Sequence, residues 1–269
     1  MNSKIPIRIS QIPILFLLIF HPAFCGGLTL VAVENRAETQ VGEAVLRAAY
    51  QKLGIELLIR RYPAERAVRM AAAGLVDGEL QATEGMNHDQ SDLIQIKPAI
   101  NCLEAVVFTR SVELQPKGWE SLRPYRIGII QDLEYAENNT KGLNWHIVRT
   151  YQSLFKMLEN RRLDLVIAPR INGLIQIRSS GIQNIRELPP PIAQFQLFHT
   201  LHRKHKKLAT KVAGILKKMK ISGELVKIQS QIRSNLIEQD DSYLSGCNSL
   251  AKCDDPVPFN LAQRDVEGL

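Results

Sequence analysis

Polar side chains that could recognise a small molecule lie at or just beyond the predicted ends of several buried strands. They are Glu34, Gln81, Gln131, Asp132 and Arg170. In open α/β sheets, ligands bind outside the carboxyl ends of the strands. Carboxylate, amide and guanidinium groups can hydrogen-bond a polar solute there. Two alternatives stay open: Glu34 could cap its own loop, and Arg170 could be a surface arginine.

Two tyrosines and two further charged residues extend this candidate ligand-binding set. Tyr62 and Tyr135 lie in loops after strands and could form aromatic walls of a cleft. Arg66 lies in the first turns of a predicted helix, where it could face the cleft or pair with Glu65 or Glu79. Glu79 begins a short strand and is itself a candidate ligand contact.

Catalytic and metal-binding signatures are missing from the sequence. It contains no Ser-His-Asp order, no Gly-x-Ser-x-Gly and no phosphate-binding loop. The histidines at 88, 146, 199, 202 and 205 form no HxxxH or HExxH pattern. We therefore expect no metal site, no cofactor and no enzymatic activity. An enzyme on the same scaffold is the alternative, with Glu34 or Glu79 as its acid.

Two similar turns indicate how the candidate residues are positioned. The segment 74–80 (GLVDGEL) ends a helix, carries Asp77 in a polar turn and starts an apolar strand. The segment 158–167 (LENRRLDLVI) has the same order: a helix ends, a polar turn carries Asp164 and an apolar strand starts. We interpret both aspartates as turn-stabilising residues. Two helix-to-strand units predict two α/β lobes with a cleft between them.

Hydrophobic periodicity predicts alternating strands and helices. The expected strands cover 28–33, 55–60, 79–82, part of 100–108, 126–130, 163–167, 185–188 and 195–199. The expected helices cover 40–53, with Thr39 as cap, 64–73, 151–158, 172–179, 203–219 and 222–236. Residues 136–149 give no clear pattern.

The order of these elements predicts a domain organisation. Lobe 1 comprises residues 26–109 with 195–236, lobe 2 comprises 110–194, and 237–269 form a polar C-terminal tail. Each lobe is expected to hold a mixed, mostly parallel sheet flanked by helices. The chain crosses between the lobes twice, which makes a two-segment hinge.

Residues 1–25 have the pattern of a signal peptide. Lys4 and Arg8 precede the apolar run 12–20, and Ala23 and Cys25 occupy the small-residue positions of a cleavage site. The run is shorter than the roughly 20 residues that span a bilayer. We expect cleavage and export to the periplasm, with a lipid anchor on Cys25 as the alternative.

Charge and cysteine content narrow the possible partners. The formal net charge is +7, and much of the excess lies on the predicted amphipathic helix 203–219. We interpret it as a solvated face and expect no nucleic-acid binding. The positive balance weakly favours an anionic or zwitterionic ligand. Cys247 and Cys253 could form a disulfide in an oxidising compartment, or remain two thiols.

Over about residues 28–233 the chain resembles the family 3 bacterial extracellular solute-binding proteins, which are type II periplasmic binding proteins serving polar amino-acid ABC importers. The segments that carry the resemblance are 33–34, 62–66, 74–80, 126–129 and 154–164. Each is weak alone, and their order and spacing give the specificity. The resemblance implies a two-lobed periplasmic-binding-protein fold with the ligand between the lobes.

The resemblance also implies one ligand contact and one difference. Amino-acid binders of this family carry a Thr and an Arg after the acidic-turn strand, and the Arg pairs with the ligand carboxylate. Here Thr83 is present, but no Arg follows in 84–89. The ligand is therefore expected to differ from a standard α-amino acid.

Two functional hypotheses follow from the resemblance. The first is a monomeric periplasmic solute-binding protein that delivers a small polar solute to an inner-membrane ABC permease or a sensor. The second is a ligand-poor binding-fold protein that acts as a periplasmic sensor or partner module. In either case the cleaved chain is not expected to span a membrane.

Overall fold

A computed structural model describes residues 27–83 and 92–237. The leader, the pair Cys247 and Cys253, and the C-terminal tail lie outside these residues. Within them no helix is long and apolar enough to cross a membrane.

One mixed sheet of eight strands runs through both lobes in the order β2-β1-β3-β8-β4-β7-β5-β6. The strands are β1 Leu28–Val33, β2 Leu57–Tyr62, β3 Gly78–Thr83, β4 Leu93–Thr109, β5 Ile127–Ile130, β6 Trp145–Val148, β7 Leu165–Pro169 and β8 Arg186–His202. The helices are α1 Thr39–Gln51, α2 Ala64–Ala72, α3 Glu134–Thr140, α4 Tyr151–Glu159, α5 Arg170–Ser179, α6 Lys206–Ile221 and α7 Glu224–Ile237.

Two main hydrophobic cores confirm the predicted two-lobed α/β fold. One core is built on β1 and α1 together with α6, and its members include Leu30, Leu46 and Val212. The other is built on β5, β7 and α4, and includes Ile129 and Phe155. A small satellite cluster under α2 adds to the first lobe. Parallel pairs β2-β1-β3 and β7-β5-β6 form the two flanks of the sheet.

The long strands β4 and β8 join the lobes. They pair antiparallel along most of their length, with register shifts between Ile96 and Asn101 and between Ala105 and Val107. The two strands predicted at 185–188 and 195–199 are parts of β8, which continues through the three prolines between them. Both lobes share these strands, so the boundaries at 109 and 195 stay a prediction.

The two aspartate turns have the same construction. Asp77 Oδ2 accepts a 2.8 Å bond from the backbone N–H of Thr29, at the start of β1. Asp164 Oδ2 accepts a 2.9 Å bond from the N–H of Arg126, directly before β5. Each carboxylate thus ties a turn to the neighbouring parallel strand. A Cβ on Gly78 would lie 2.1 Å from the Thr200 carbonyl oxygen, so the residue after Asp77 must be glycine.

The cap expected from Thr39 is not formed. The N-cap position of α1 is Glu38, and neither it nor Thr39 accepts a capping bond there. Thr39 Oγ1 instead donates to the Arg36 carbonyl at 2.6 Å. The reason is that the chain turns one residue earlier than predicted, which places Glu38 at the head of the helix.

Candidate functional site

The lobes touch where the loop after β1 meets the loops of the second lobe. Arg36 donates a 2.6 Å bond from its guanidinium to the Asp132 carbonyl. Asn172, in the first turn of α5, donates from Nδ2 to the Asn35 carbonyl at 3.3 Å. Asn35 and Asp132 both have positive φ, at 56° and 61°, a region that few non-glycine residues occupy. Two tight turns therefore face each other across the cleft.

Four polar side chains surround this contact, and we call them the polar cluster: Glu38, Tyr135, Tyr151 and Asn172. Within residues 27–83 and 92–237, no hydrogen-bond partner is found for Glu38 Oε2, Tyr135 Oη, Tyr151 Oη or Asn172 Oδ1. All four atoms are buried. Buried polar atoms almost always have a partner, either protein or water. The cluster thus leaves four hydrogen-bonding positions for something other than the described protein.

Burial and mutual charge effects shift the pKa values of Glu38, Tyr135 and Tyr151. Burial raises the pKa of the Glu38 carboxyl, and the nearby Arg36 charge offsets part of this shift. Burial also raises the pKa of the Tyr135 phenol well above its usual value, with further effects of Tyr151, Arg36 and Glu38. The pKa of the Tyr151 phenol is also raised, first by burial and then by the negative charge of Glu38. The phenols stay neutral at physiological pH.

A buried network behind the cluster holds the Glu38 loop. Asn101, on β4, donates to the Glu38 carbonyl at 2.9 Å and to Gln81 Oε1 at 3.2 Å. Arg233, on α7, donates to Asn101 Oδ1 at 3.0 Å and is itself buried. Residues of three distant segments therefore fix the backbone carbonyl of Glu38.

A groove of 710 Å³ opens beside the cluster, between α1 and the start of α5. Tyr151 and Asn172 form part of its wall, so the groove reaches the cluster. On the lobe 1 side, Arg47 and Arg61 both pair with Glu43, at 2.8 and 2.6 Å. The volume lies within the usual range for small-molecule sites.

The candidates on the lobe 1 edge have local partners. The Glu34 N–H donates to the Tyr62 carbonyl at 3.0 Å, which extends the β1–β2 pairing. Arg66 is exposed, and its guanidinium lies 4.7 Å from the centre of the Tyr62 ring. Glu65 pairs with Arg69, and a contact of Arg66 with ligand stays a prediction.

The candidates on β3 lie deeper. Glu79 is buried and accepts a 3.1 Å bond from Thr200 Oγ1. Gln81 Oε1 accepts a hydrogen bond from Asn101, so Gln81 belongs to the network that holds the Glu38 loop. Thr83 pairs with Leu197 in the sheet, and its buried hydroxyl has no partner in the described part of the chain.

The lobe 2 candidates divide into two groups. Tyr135 belongs to the polar cluster, and its ring packs on Phe195 with a centroid distance of 4.7 Å. Gln131 and Asp132 are exposed, and the Asp132 N–H donates to Glu137 at 2.8 Å. Asp132 thus contributes to the interlobe contact through its backbone.

Arg170 lies in an ion-pair network at the hinge, and it lines a small cavity together with Glu38 and Arg233. It pairs with Glu187 on β8 at 2.6 Å and with Glu104 on β4. Burial lowers its pKa, but the two carboxylates outweigh this effect and leave the pKa raised. The arginine therefore links both crossing strands to α5.

Sequence analysis missed Arg36, Glu38, Tyr151 and Asn172. A signal was available for Arg36, Glu38 and Asn172, because each follows a predicted strand by a few positions at or near the start of a helix; Tyr151 begins a predicted helix but follows no predicted strand closely. Among residues 27–83 and 92–237, no group of three or more His, Cys, Asp or Glu side chains could hold a metal ion.

Comparison with solved structures identifies the fold. A histidine kinase sensor domain with similarity to periplasmic binding proteins aligns with a TM-score of 0.62 at 15% identity, over 76% of this chain and 96% of its own. The GluR0 ligand-binding core in complex with L-glutamate aligns with a TM-score of 0.65 at 10% identity, over 77% and 97%. An ancestral arginine-binding protein bound to arginine reaches 0.62 at 14%, over 77% and 98%.

The chain has a periplasmic-binding-protein fold. These identities establish the fold alone, because the same fold serves many functions. No family model matches the sequence. An uncharacterised protein of Shewanella oneidensis is 26% identical over 207 residues, which are 72% of this chain and 76% of that protein.

Proposed function

We propose that this protein is a periplasmic solute-binding protein. It captures a small polar solute between its lobes and presents it to an inner-membrane ABC importer. The signal-peptide pattern of residues 1–25 supports export. The observation that carries the proposal is the polar cluster, since Glu38 belongs to one lobe and Tyr135, Tyr151 and Asn172 to the other.

The physical argument is one of hydrogen-bond completion. Leaving a buried polar group without a partner costs roughly 1–3 kcal/mol. A solute that hydrogen-bonds Glu38 and the second lobe together stabilises the closed arrangement, because it interacts with both sides only when they are close. Arg36 and Asn172 add direct contacts between the lobes in that arrangement.

The test is native mass spectrometry of the full exported chain purified from a bacterial periplasm, repeated after denaturation. We expect a small mass that is lost on denaturation. The control is a variant with Tyr135→Phe and Asn172→Leu, which should retain much less of that mass. If the wild type carries no solute and shows no thermal shift with a broad metabolite panel, the proposal is wrong.

A sensor role is the second candidate. It is supported by the aligned histidine kinase sensor domain, which matches as well as the amino-acid binders do. In that case the same solute-driven closure is transmitted to a membrane partner instead of a permease. Co-purification from membranes with and without solute separates the two roles, since each predicts a different class of partner.

A further inference from the structure

Helix α6 carries six lysines and no acidic residue along its 16 positions. All six are exposed: Lys206, Lys207, Lys211, Lys217, Lys218 and Lys220. With about 3.6 residues per turn, these positions cover roughly half of the helix circumference. The opposite side holds Val212, Leu216 and Met219, which are buried in the core of lobe 1. The six lysines therefore form a continuous positive surface, which we call the lysine face.

Two carboxylates near the ends of the lysine face pair with cations outside it. Glu224, at the start of α7, pairs with Lys52 at 2.9 Å. Asp77 pairs with Lys204, which precedes α6, at 3.0 Å. Within residues 27–83 and 92–237, the lysines at 206, 207, 211, 217 and 218 form no ion pair. The described part of the chain therefore leaves most of this positive charge facing solvent.

Two large apolar residues are exposed where the lysine face ends. Ile221, the last residue of α6, is 77% exposed, and Val226, in the first turn of α7, is 50% exposed. Each adjoins an exposed lysine in the sequence, Lys220 and Lys227 respectively. A corner of this composition can place its apolar side chains at the headgroup level of a bilayer while the lysines contact the phosphates.

The composition of α6 favours a lipid surface over an acidic protein as the partner. Protein interfaces are enriched in aromatic residues and arginine and depleted in lysine, whereas α6 has six lysines and neither an aromatic residue nor an arginine. Clusters of about four to eight basic residues on an amphipathic helix are typical of binding to anionic lipids. A charged bilayer also requires no shape complementarity from the helix.

We propose that the lysine face adsorbs this protein to a phospholipid bilayer with anionic headgroups. Helix α6 then lies along the surface, with Ile221 and Val226 at the headgroup level. No residue of α6 lines the groove beside the polar cluster or the small cavity at Glu38. The inference therefore goes beyond the proposed function and applies to the importer and sensor roles alike.

The test is co-sedimentation of the full exported chain, purified from a bacterial periplasm, with phospholipid vesicles. Vesicles of phosphatidylcholine alone are compared with vesicles that contain roughly one third phosphatidylglycerol. We expect binding to the anionic vesicles only. Raising the salt from about 0.05 M to about 0.5 M should abolish it, because the charges are screened. Equal binding to both kinds of vesicle, or binding to neither, would overturn the proposal.

A triple variant tests whether the lysine face causes the binding. Lys207→Gln, Lys211→Gln and Lys218→Gln together remove three charges from one side of the face. The partition coefficient for anionic vesicles should fall roughly tenfold or more, because each lysine near the surface adds attraction.

The matched control removes the same charge from exposed positions of lobe 2, with Lys141→Gln, Lys156→Gln and Arg162→Gln. It should lower the partition coefficient at most about twofold, because charges far from the surface are screened. Equal losses in the two triple variants would mean that net charge alone causes binding, and the proposal would be wrong.

Ile221→Ser tests the apolar corner. We expect a roughly threefold lower partition coefficient, because less apolar surface enters the headgroup region. Leu58→Ser is its control, since Leu58 is an exposed apolar residue on β2. A loss as large in the control as in Ile221→Ser would contradict the placement of this corner.

The outcomes separate this inference from the proposed function. A wild type that retains a solute but ignores anionic vesicles overturns the inference and leaves the solute-binding function standing. If the lysine variant instead loses a co-purifying acidic protein while the wild type ignores the vesicles, the face serves a protein partner and the inference is again overturned.

Discussion

The guanidinium of Arg36 donates a 2.6 Å hydrogen bond to the backbone carbonyl of Asp132, 96 positions away in the sequence and in the other lobe. Asp132 presents this carbonyl from a left-handed backbone conformation. A contact of this kind joins the two lobes without occupying the polar cluster beside it. It can therefore favour closure whichever solute is bound.

Arg36→Ala should weaken lobe closure. A hydrogen bond from a charged donor contributes about 1.5–3 kcal/mol, so solute affinity should fall roughly tenfold or more. Small-angle scattering with saturating solute should show a larger radius of gyration than for the wild type. Arg123→Ala is the control, because Arg123 is an exposed arginine that pairs with Glu120 three residues away. Equal effects of the two variants would contradict the interlobe role.

Glu38→Gln should make the solute-free protein more stable at neutral pH. Burial raises the folded-state pKa of Glu38. A raised carboxyl pKa contributes stability below its unfolded value, and this is lost as the pH rises through the folded value. Replacing the charge should therefore add about 1–2 kcal/mol at pH 7, or a few degrees in Tm. Urea unfolding at pH 7 and pH 4 measures it, and a gain present only at pH 4 would contradict the prediction.

His199 should cause part of the loss of stability in mild acid. Burial lowers its pKa to about 4. Its Nδ1 lies 2.7 Å from the Glu79 carbonyl, so Nδ1 carries the proton and Nε2 accepts from Tyr50 at 2.8 Å. The folded protein binds fewer protons than the unfolded chain between pH 6.5 and pH 4, so stability falls as the pH is lowered through that range.

The slope from one such group is at most about 1.4 kcal/mol per pH unit. His199→Gln can keep both hydrogen bonds but does not titrate, so urea unfolding between pH 7 and pH 4 should give a smaller slope than in the wild type. Asp77 and Asp164 have lowered pKa values and add to the slope only towards the acid end of this range, equally in the variant and the wild type. An unchanged slope in the variant would rule out His199 as the source.

Arg170→Leu should destabilise the fold. The change leaves the carboxylates of Glu104 and Glu187 partly buried without their cation, which costs about 3–5 kcal/mol. Arg186→Leu is the matched control, because its partner Glu113 is exposed and the pair is worth at most about 1 kcal/mol. Chemical denaturation compares the two. A loss of solute affinity at unchanged stability would instead favour the ligand-contact role predicted for Arg170.

The sequence determined the two-lobed fold and its repeated turns. Hydrophobic runs of four to six residues and the spacing of Asp77 and Asp164 depend on neighbours along the chain, so a linear pattern contains them. It also predicted that polar groups would gather beyond the strand ends, among them Tyr135, Gln81 and Thr83, and their contacts with a ligand stay a prediction. These local signals could not show which polar side chains form hydrogen bonds or ion pairs with each other.

Only the tertiary structure decided which polar side chains have a hydrogen-bond or ion-pair partner among the described residues and which have none. Arg170 and Asn172 both lie in the first turn of α5, directly after β7. The Arg170 guanidinium pairs with two carboxylates from distant strands, whereas Asn172 Oδ1 has no hydrogen-bond partner among the described residues. Glu38 became a candidate only when its buried Oε2 was seen to lack a partner among the described residues. Burial and hydrogen-bond completion depend on contacts across more than a hundred residues, and no pattern along the chain specifies them.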